Sequence, residues 1–282
     1  MCRQIFTDRA PAVSLLVVVL TLAYAGLRTQ VGAQGAAAVP DFSSSEAAWI
    51  ATSNDFIPPL EGPKPVSFDP AYPYVPNNAR RQPTFRIADL SNPNVLPWAK
   101  AQMKTSNEAV LAGKIAYTPR SSCRPAGVPA FMLFIVEPIF FVQSPHEVLI
   151  IYSGDQQVRR VDLDVPHSAN PKPSWYGESI GRYENGALVI DTIAFNDKTF
   201  VDNYRTPHTD KLHVVEHWQL ADGGKMLEAR FTVEDPGAFA APWSGLQRYR
   251  RVQETMGEQV CAENNSAAVF DYHIPFADKP DF

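Results

Sequence analysis

Short β-type segments follow one another from about Phe131 to Gln253, and they constrain the fold more than any other feature of the chain. The segments "EVLIIYS", "VRRVDLDV", "LHVVEHWQL" and "KMLEARFTV" are rich in apolar and β-branched residues or alternate with polar ones, which is typical of strands. Turn signals separate them, including the Asn-Gly pair of "ENGA". Such a chain closes or packs to remove its edges. The sequence therefore predicts a mainly β protein, either a sandwich or an antiparallel β-barrel or barrel-like sheet, with about eight to nine strands.

The segment before these strands has a different composition. Residues 34–94 are dense in proline, as in "IPPLEGPKPVSFDPAYPYVP", which predicts an extended arm on the body or partial disorder. Pro97 suits a first helical turn and Gly113 suits a stop, so one helix is predicted over about 97–112. We therefore divide the chain into a signal segment (1–33), a proline-rich arm with this helix (34–120), an antiparallel β domain (121–262) and a C-terminal tail (263–282).

The N-terminus has the layout of a secretory signal peptide. Arg3 and Arg9 precede an apolar run, and the small residues of "VGA" end at Ala33, the predicted cleavage site. The alternative is a membrane anchor, but the run covers about 16 residues and a spanning helix needs about 20. We therefore expect a periplasmic or secreted protein without a membrane span after cleavage.

The charge of the predicted mature chain limits its partners. Without residues 1–33 the chain carries 22 basic and 29 acidic side chains, a net charge of −7. An acidic chain without basic clusters excludes nucleic acid and anionic membranes as expected partners. Small molecules and other proteins therefore remain as the expected classes of partner.

Two cysteines remain after signal cleavage, Cys123 and Cys261. In an oxidising compartment such a pair predicts a disulfide. The alternative is two separate buried thiols. Neither residue has a second cysteine or histidine at the spacing of metal ligands, so a metal pair is not expected.

The stretch "GESIG" matches the nucleophile elbow of esterases, with Ser179 in the nucleophile position. An elbow needs a strand immediately before the serine and a helix immediately after it, whereas loop precedes Ser179 and a hairpin strand follows. A two-residue turn at Asn185-Gly186 makes Ser179 face Thr192 across that hairpin. We therefore interpret the motif as a coincidence. The same register makes Arg182 and Asp191 diagonal neighbours, which predicts an ion pair.

The densest polar chemistry lies in "AFNDKTFVDNYRTPHTDKLHVVEHW". His213 and His217 lie in a predicted strand, where four residues span roughly 13 Å, so they cannot share one metal ion. His208, Asp210 and His213 flank a turn and could converge on a metal, but we expect no metal site. An acid–base pair is a second interpretation, made by His208 with Asp210 or by His213 with Asp197. The third is a polar loop that only caps the barrel.

Several motifs resemble a family of exported bacterial proteins of unassigned function, from about Asn92 to the C-terminus. They include "NPNVLPWAKAQM", "SSCRPAGVPAFM", "DPGAFAAPWS" and "CAENN", together with the long run from "VRRVDLDV" to "HVVEHW". The family's segments correspond to residues 166–168, 174–179, 194–197, 207–210 and 213–216, where Ala194 replaces an expected glycine. The resemblance implies that Cys123 and Cys261 both belong to family motifs, which favours the disulfide. It implies no substrate, cofactor or reaction.

These observations leave three functional hypotheses. The first is a β-barrel-like protein that binds a small, mostly apolar or aromatic molecule without a cofactor. Its candidate ligand-binding residues are Trp175, Asp191, Asn196 and Glu216. The second is a metal-independent hydrolase, lyase or isomerase, with catalytic candidates His208, His213, Asp210 and Asp197. The third is a structural module of the cell envelope that docks through the proline-rich arm.

Overall fold

The computed structural model describes residues 39–43, 47–73, 86–114, 118–154, 156–258 and 260. Nine strands within these residues form a closed barrel in which each strand pairs with its neighbours in sequence. The strands are β1 (Ala48–Ala51), β2 (Ile139–Gln143), β3 (Glu147–Tyr152), β4 (Gln157–Leu163), β5 (Glu178–Glu184), β6 (Ala187–Ile193), β7 (His213–Ala221), β8 (Met226–Glu234) and β9 (Trp243–Val252). The predicted fold class is confirmed.

One strand pair departs from the antiparallel pattern. β4 and β5 run parallel, with Val161 opposite Ser179, and the pairs on either side of them are antiparallel. An odd number of strands cannot alternate in direction all the way around a closed barrel, so one parallel pair is required. Parallel neighbours need a crossover of a dozen or more residues. Residues 164–177 provide it.

The proline-rich arm contributes β1, which the sequence did not reveal. Trp49 of this strand lies opposite Arg251 of β9 and Ile139 of β2, so β1 closes the barrel between its first and last long strands. Only four residues form it. Its pattern is too short for periodicity to distinguish it from the surrounding irregular chain.

The β5–β6 hairpin has the predicted register. Ser179 lies opposite Thr192 and Arg182 opposite Val189, and the turn residues Asn185 and Gly186 both have positive φ. Positive φ at both central residues is what a tight hairpin turn of this type requires. Ser179 is therefore a buried strand residue and not the nucleophile of an elbow.

The helix α1 spans Pro97–Leu111, close to the predicted 97–112, and buries Ala99, Met103, Asn107 and Val110. A second expected element differs: the apolar run that begins at Phe131 starts as a 3-10 helix, Ala130–Leu133, and becomes strand only at Ile139. All four residues of the 3-10 helix are buried. Periodicity cannot separate a short buried helical turn from a buried strand.

Side chains fill the interior of the barrel. The 3-10 helix places Phe131 within 6.3 Å of the ring of Trp218, which also contacts the rings of Phe141 and Tyr249 at 5.4 and 5.5 Å. These residues belong to the largest buried apolar cluster of the described chain. A small barrel is wide enough to be filled in this way.

The buried side chain of Asn107 fixes the arm to α1. Its amide donates to the carbonyl of Ala88 and accepts from the amide of Ala88, both at 2.9 Å. We expect Asn107→Ala to lower the free energy of unfolding by about 2–4 kcal/mol, because it leaves two buried backbone groups unpaired. Urea denaturation measures the loss. The exposed Glu108 of the same helix provides the control, since Glu108→Ala should change stability by less than about 0.5 kcal/mol. Equal effects of the two changes would contradict the pairing.

Some predictions concern parts of the chain outside the described residues. The signal segment 1–33 and the tail 263–282 lie there, as does Cys261, so the disulfide with Cys123 stays a prediction. None of the helices in the described ranges is long and apolar enough to cross a membrane.

Candidate functional sites

A cluster of two histidines and two carboxylates lies on the outer face of the barrel, and we call it the histidine relay: His167, Glu178, Asp191 and His213. His167 contacts Glu178 Oε1 through Nδ1 at 3.0 Å and Asp191 Oδ1 through Nε2 at 3.1 Å. His213 reaches the same oxygen of Asp191 through Nε2 at 2.9 Å. The relay is therefore a continuous chain of hydrogen bonds centred on one carboxylate.

Strand direction and register bring the relay together. Asp191 of β6 lies opposite Val215 of β7, which makes His213 its diagonal neighbour on the outer face. Glu178 begins β5 on the same face of the neighbouring strand. His167 comes from the crossover between β4 and β5, and this connection carries it over the sheet. The parallel pair is thus the feature that completes the relay.

The protonation chemistry of the relay follows from its partners. Ionised carboxylate oxygens only accept hydrogen bonds, so a protonated His167 donates to both Glu178 and Asp191. The hydroxyl and the backbone N–H of Ser168 also donate to Glu178. The Ser168 hydroxyl is the main cause that lowers the pKa of Glu178, with a smaller contribution from His167. The side chains of the relay are about one-fifth to one-third exposed, so they can exchange protons with solvent or a bound molecule.

The prediction of an ion pair between Arg182 and Asp191 is wrong. Arg182 instead pairs with Glu184 of its own strand at 2.9 Å, where both side chains are exposed. Asp191 is already engaged by His167 and His213. His167 and Glu178 are the members that the sequence did not identify as candidates. The position of His167 depends on the path of the crossover, which the sequence pattern does not show.

His208 lies apart from the relay, in the loop between β6 and β7. Its Nδ1 donates to the carbonyl of Thr209 at 2.9 Å, and its Nε2 accepts from the hydroxyl of Thr199 at 2.6 Å. Burial lowers the pKa of His208 and keeps the ring neutral. Both ring nitrogens are occupied, so His208 serves the loop as a structural residue.

Asp197, His208 and Asp210 line one cleft of about 610 Å³, which we call the Asp197 cleft. Trp98 of α1 forms the opposite wall and donates its indole N–H to the carbonyl of Gly237. Asp197 and Asp210 are exposed there. His213 does not line this cleft, so His208 and His213 do not face it together. A strand position directs His213 outward, whereas the loop turns His208 inward.

Asp202 fixes the backbone of the loop that carries these residues. Its carboxylate accepts from the backbone N–H groups of Tyr204 and Thr206, at 2.8 and 3.1 Å. Burial raises the pKa of Asp202 to about 6. Among the described residues, no group of three or more His, Cys, Asp and Glu side chains is arranged to hold a metal ion.

Of the predicted ligand-binding residues, Glu216 is the one that the structure removes from any accessible site. It lies inside the barrel with no exposed surface and accepts two hydrogen bonds from Arg159, one to each carboxylate oxygen. Arg159 also donates to Thr192 at 2.8 Å and to Ser179 at 3.2 Å. Glu216 is a polar residue in a predicted strand, and the sequence did not show that its side chain points into the barrel.

Trp175 and Asn196 lie on the surface and are half-buried. The guanidinium of Arg124 lies 5.9 Å from the ring centroid of Trp175. Asn196 accepts from the backbone N–H of Lys198 at 3.1 Å and donates its own backbone N–H to Ser174 at 2.8 Å, so it forms a turn.

A larger concave site lies along the proline-rich arm, where the sequence predicted none. We call it the proline groove; it has a volume of about 740 Å³. Its lining consists of Asp55, Phe56, Pro58, residues 62–68, Asp89, residues 91–94 and Tyr204. Four prolines and three aromatic residues contribute the bulky apolar part of this lining.

The neutral state of His208 leads to a prediction on pH. Because burial lowers its pKa, native protein holds this proton less tightly than the unfolded chain, where histidine has a pKa of about 6.5. Lowering the pH through that value should therefore favour unfolding. We expect the His208 imidazole to stay neutral at pH 6.5, as measured by nitrogen NMR and assigned with His208→Gln. A half-protonated ring at that pH would contradict the buried placement.

The protein is a closed, single-barrel β protein within its described residues. It carries a histidine relay outside the barrel and a groove with apolar walls on the arm. No family model matches this chain, and no curated protein or solved structure matches it.

Proposed function

We propose that the protein binds a small, mostly apolar or aromatic molecule in the proline groove. The observation that carries this proposal is the volume of about 740 Å³ behind apolar walls, which falls within the usual range for small-molecule sites. The barrel interior is occupied by side chains such as Phe131 and Trp218, so the groove is the better place for a ligand.

Hydrogen bonds fix the walls of the groove before any ligand binds. The side-chain amide of Asn92 donates to the carbonyl of Lys64 at 3.1 Å, which joins two sides of the groove. Ile57 exchanges backbone hydrogen bonds with Leu246 of β9 at 2.9 and 3.0 Å, which ties the arm to the barrel. A site that is already ordered loses little conformational entropy when it binds, and this supports a binding role.

Apolar side chains at the rim of the groove are exposed, so a bound ligand can remove their surface from water. Phe68 lines the groove and keeps 47% of its surface exposed, whereas Phe56 and Val66 are buried behind it. Covering apolar surface is worth roughly 25 cal/mol per Å². Phe68 is therefore the side chain that should contribute most directly to affinity.

Titration with the neutral, solvent-sensitive dye prodan tests the proposal. We expect saturable binding with one dye per chain and a blue shift of its emission. Phe68→Ala should weaken binding, while Leu60→Ala should leave it unchanged, because Leu60 is fully exposed on the same segment and does not line the groove. Non-saturable binding, or equal affinities of the two variants, would contradict the groove as the site.

We also propose that the protein is exported to the periplasm or secreted, and that it belongs to the family of exported proteins that its motifs resemble. The signal layout before Ala33 and the pair Cys123 and Cys261 support this proposal. Fractionation of cells that produce the protein, with N-terminal sequencing, tests it. A cytoplasmic product that retains Met1 would contradict it.

A second candidate function is a metal-independent hydrolase, lyase or isomerase that uses the histidine relay. The observation that favours it is the contact of two partly exposed histidines with one oxygen of Asp191. A depression of about 480 Å³ beside Ser168 and Glu178 offers room for a polar substrate. A hydrolase can be tested with a panel of p-nitrophenyl esters. Turnover should disappear in Asp191→Asn and persist in Asp197→Asn, and turnover that survives Asp191→Asn would contradict this role.

A further inference from the structure

Most side-chain hydrogen-bonding groups on one wall of the proline groove are already used within the protein. The amide of Asn94 donates to the carbonyl of Ala241 and accepts from its N–H, both at 2.9 Å. Asn92 donates to Lys64 and accepts from the backbone N–H of Asn94 at 3.0 Å. These two amides fix the wall and have little capacity left for a ligand.

Asp55 and Tyr204, which also line the groove, present a different chemistry. The hydroxyl of Tyr204 donates its only proton to Asp55 Oδ1 at 2.5 Å. Burial, and then the hydrogen bond to Asp55 and the charge of Asp55, raise the pKa of Tyr204, so the phenol keeps that proton. With the proton directed at Asp55, both groups offer only acceptor oxygens to a ligand. Tyr204 is buried, and Asp55 is exposed at the rim.

The charged residues that line the groove also favour a ligand with a hydrogen-bond donor. Asp55 and Asp89 are its carboxylates and Lys64 is its one lysine among the lining residues of the described chain. Asp89 is partly buried and accepts from the backbone N–H of Ser91 at 2.8 Å, whereas Asp55 is exposed and accepts from the hydroxyl of Tyr204. The groove therefore combines apolar walls with an acceptor-rich, negatively charged end.

We propose that the ligand is an aromatic molecule with a hydroxyl or amino hydrogen-bond donor, which it directs to the carboxylate of Asp55. The proposal rests on the function proposed above and specifies its ligand class. The ring system lies against Phe68 and the prolines, and the donor meets Asp55 beside Tyr204. An aromatic carboxylate in the same position is disfavoured, because its negative charge would lie beside that of Asp55.

Three ligands of similar size separate the possibilities: β-naphthol carries a donor, β-methylnaphthalene carries none, and β-naphthoate carries a negative charge. Displacement of prodan gives their affinities for the full mature chain. We expect β-naphthol to bind about tenfold more tightly than β-methylnaphthalene, which is the scale of one charge-assisted hydrogen bond at a partly exposed site. β-Naphthoate should bind more weakly than either.

Asp55→Ala should remove the preference for β-naphthol while leaving the affinity for β-methylnaphthalene unchanged. Asp69→Ala is the matched control, because Asp69 is a carboxylate of the same segment that does not line the groove. The control should keep the preference of the unmodified protein.

The outcomes separate the two proposals. If none of the naphthalenes binds saturably, the proposed function is wrong. If β-naphthol and β-methylnaphthalene bind with equal affinity, or if Asp55→Ala retains the preference, the ligand class is wrong and the groove remains a general apolar site. The comparison of ligands on the unmodified protein needs no variant, so a folding defect of Asp55→Ala cannot obscure it.

Discussion

Replacing Glu216 with alanine is expected to lower the free energy of unfolding by about 3–5 kcal/mol, because it leaves the buried charge of Arg159 without its partner. The Arg159 side chain is 2% exposed and the Glu216 side chain is fully buried. Two parallel hydrogen bonds join the guanidinium of Arg159 to the carboxylate of Glu216. Arg159 also donates hydrogen bonds to the hydroxyls of Ser179 and Thr192. Urea denaturation followed by circular dichroism measures the loss.

A surface ion pair of the same barrel provides the control. Arg160 Nε and Glu147 Oε2 lie 3.1 Å apart, with side chains that are 65% and 35% exposed, so Glu147→Ala should cost less than about 1 kcal/mol. The double change of Arg159 to methionine and Glu216 to leucine should recover most of the stability, because it removes both buried charges. A loss below about 1 kcal/mol for Glu216→Ala would show that the pair is hydrated, and this would contradict a filled barrel.

Phe131→Ala is expected to lower the free energy of unfolding by about 3–5 kcal/mol, the range for removing a buried aromatic ring. The ring contacts Trp218 and Tyr176 at centroid distances of 6.3 and 6.2 Å, and the guanidinium of Arg159 lies 5.4 Å from it. Its removal leaves a cavity inside the barrel. Differential scanning calorimetry and urea denaturation measure the loss.

Val136→Ala is the control for this change, since Val136 lies in the same connection to β2 and is 73% exposed. It should change stability by less than about 0.5 kcal/mol. Prodan binding should survive Phe131→Ala in the protein that remains folded, because the proline groove lies outside the barrel. Equal stability losses for the two variants would contradict the role of the 3-10 helix as the filling of the barrel.

The sequence predicted those parts of the fold in which local patterns act on neighbouring segments. The Asn185-Gly186 turn determined the register from Ser179 to Thr192, and the alternation of β7 and β8 determined their hairpin. The parallel pair of β4 and β5 was not predicted, because it depends on closing an odd number of strands. β1 was missed because four residues of proline-rich chain carry no measurable period.

The candidate sites depended on tertiary placement and were predicted less well. Asp191 and His213 were recognised as candidates, and the predicted hairpin register already places Glu178 on the face of Asp191. His167 could not be added, because only the crossover brings it to these strands. His208 and Glu216 are polar in sequence but buried in the fold, which a one-dimensional pattern does not show.

The central claim is that the proline groove binds an aromatic molecule with a hydrogen-bond donor. A crystal structure of the protein with saturating β-naphthol tests it most directly. We predict one molecule between Phe68 and Tyr204, with its hydroxyl within hydrogen-bonding distance of the Asp55 carboxylate. A molecule bound inside the barrel or beside the histidine relay, or an empty groove at saturating ligand, would contradict the claim.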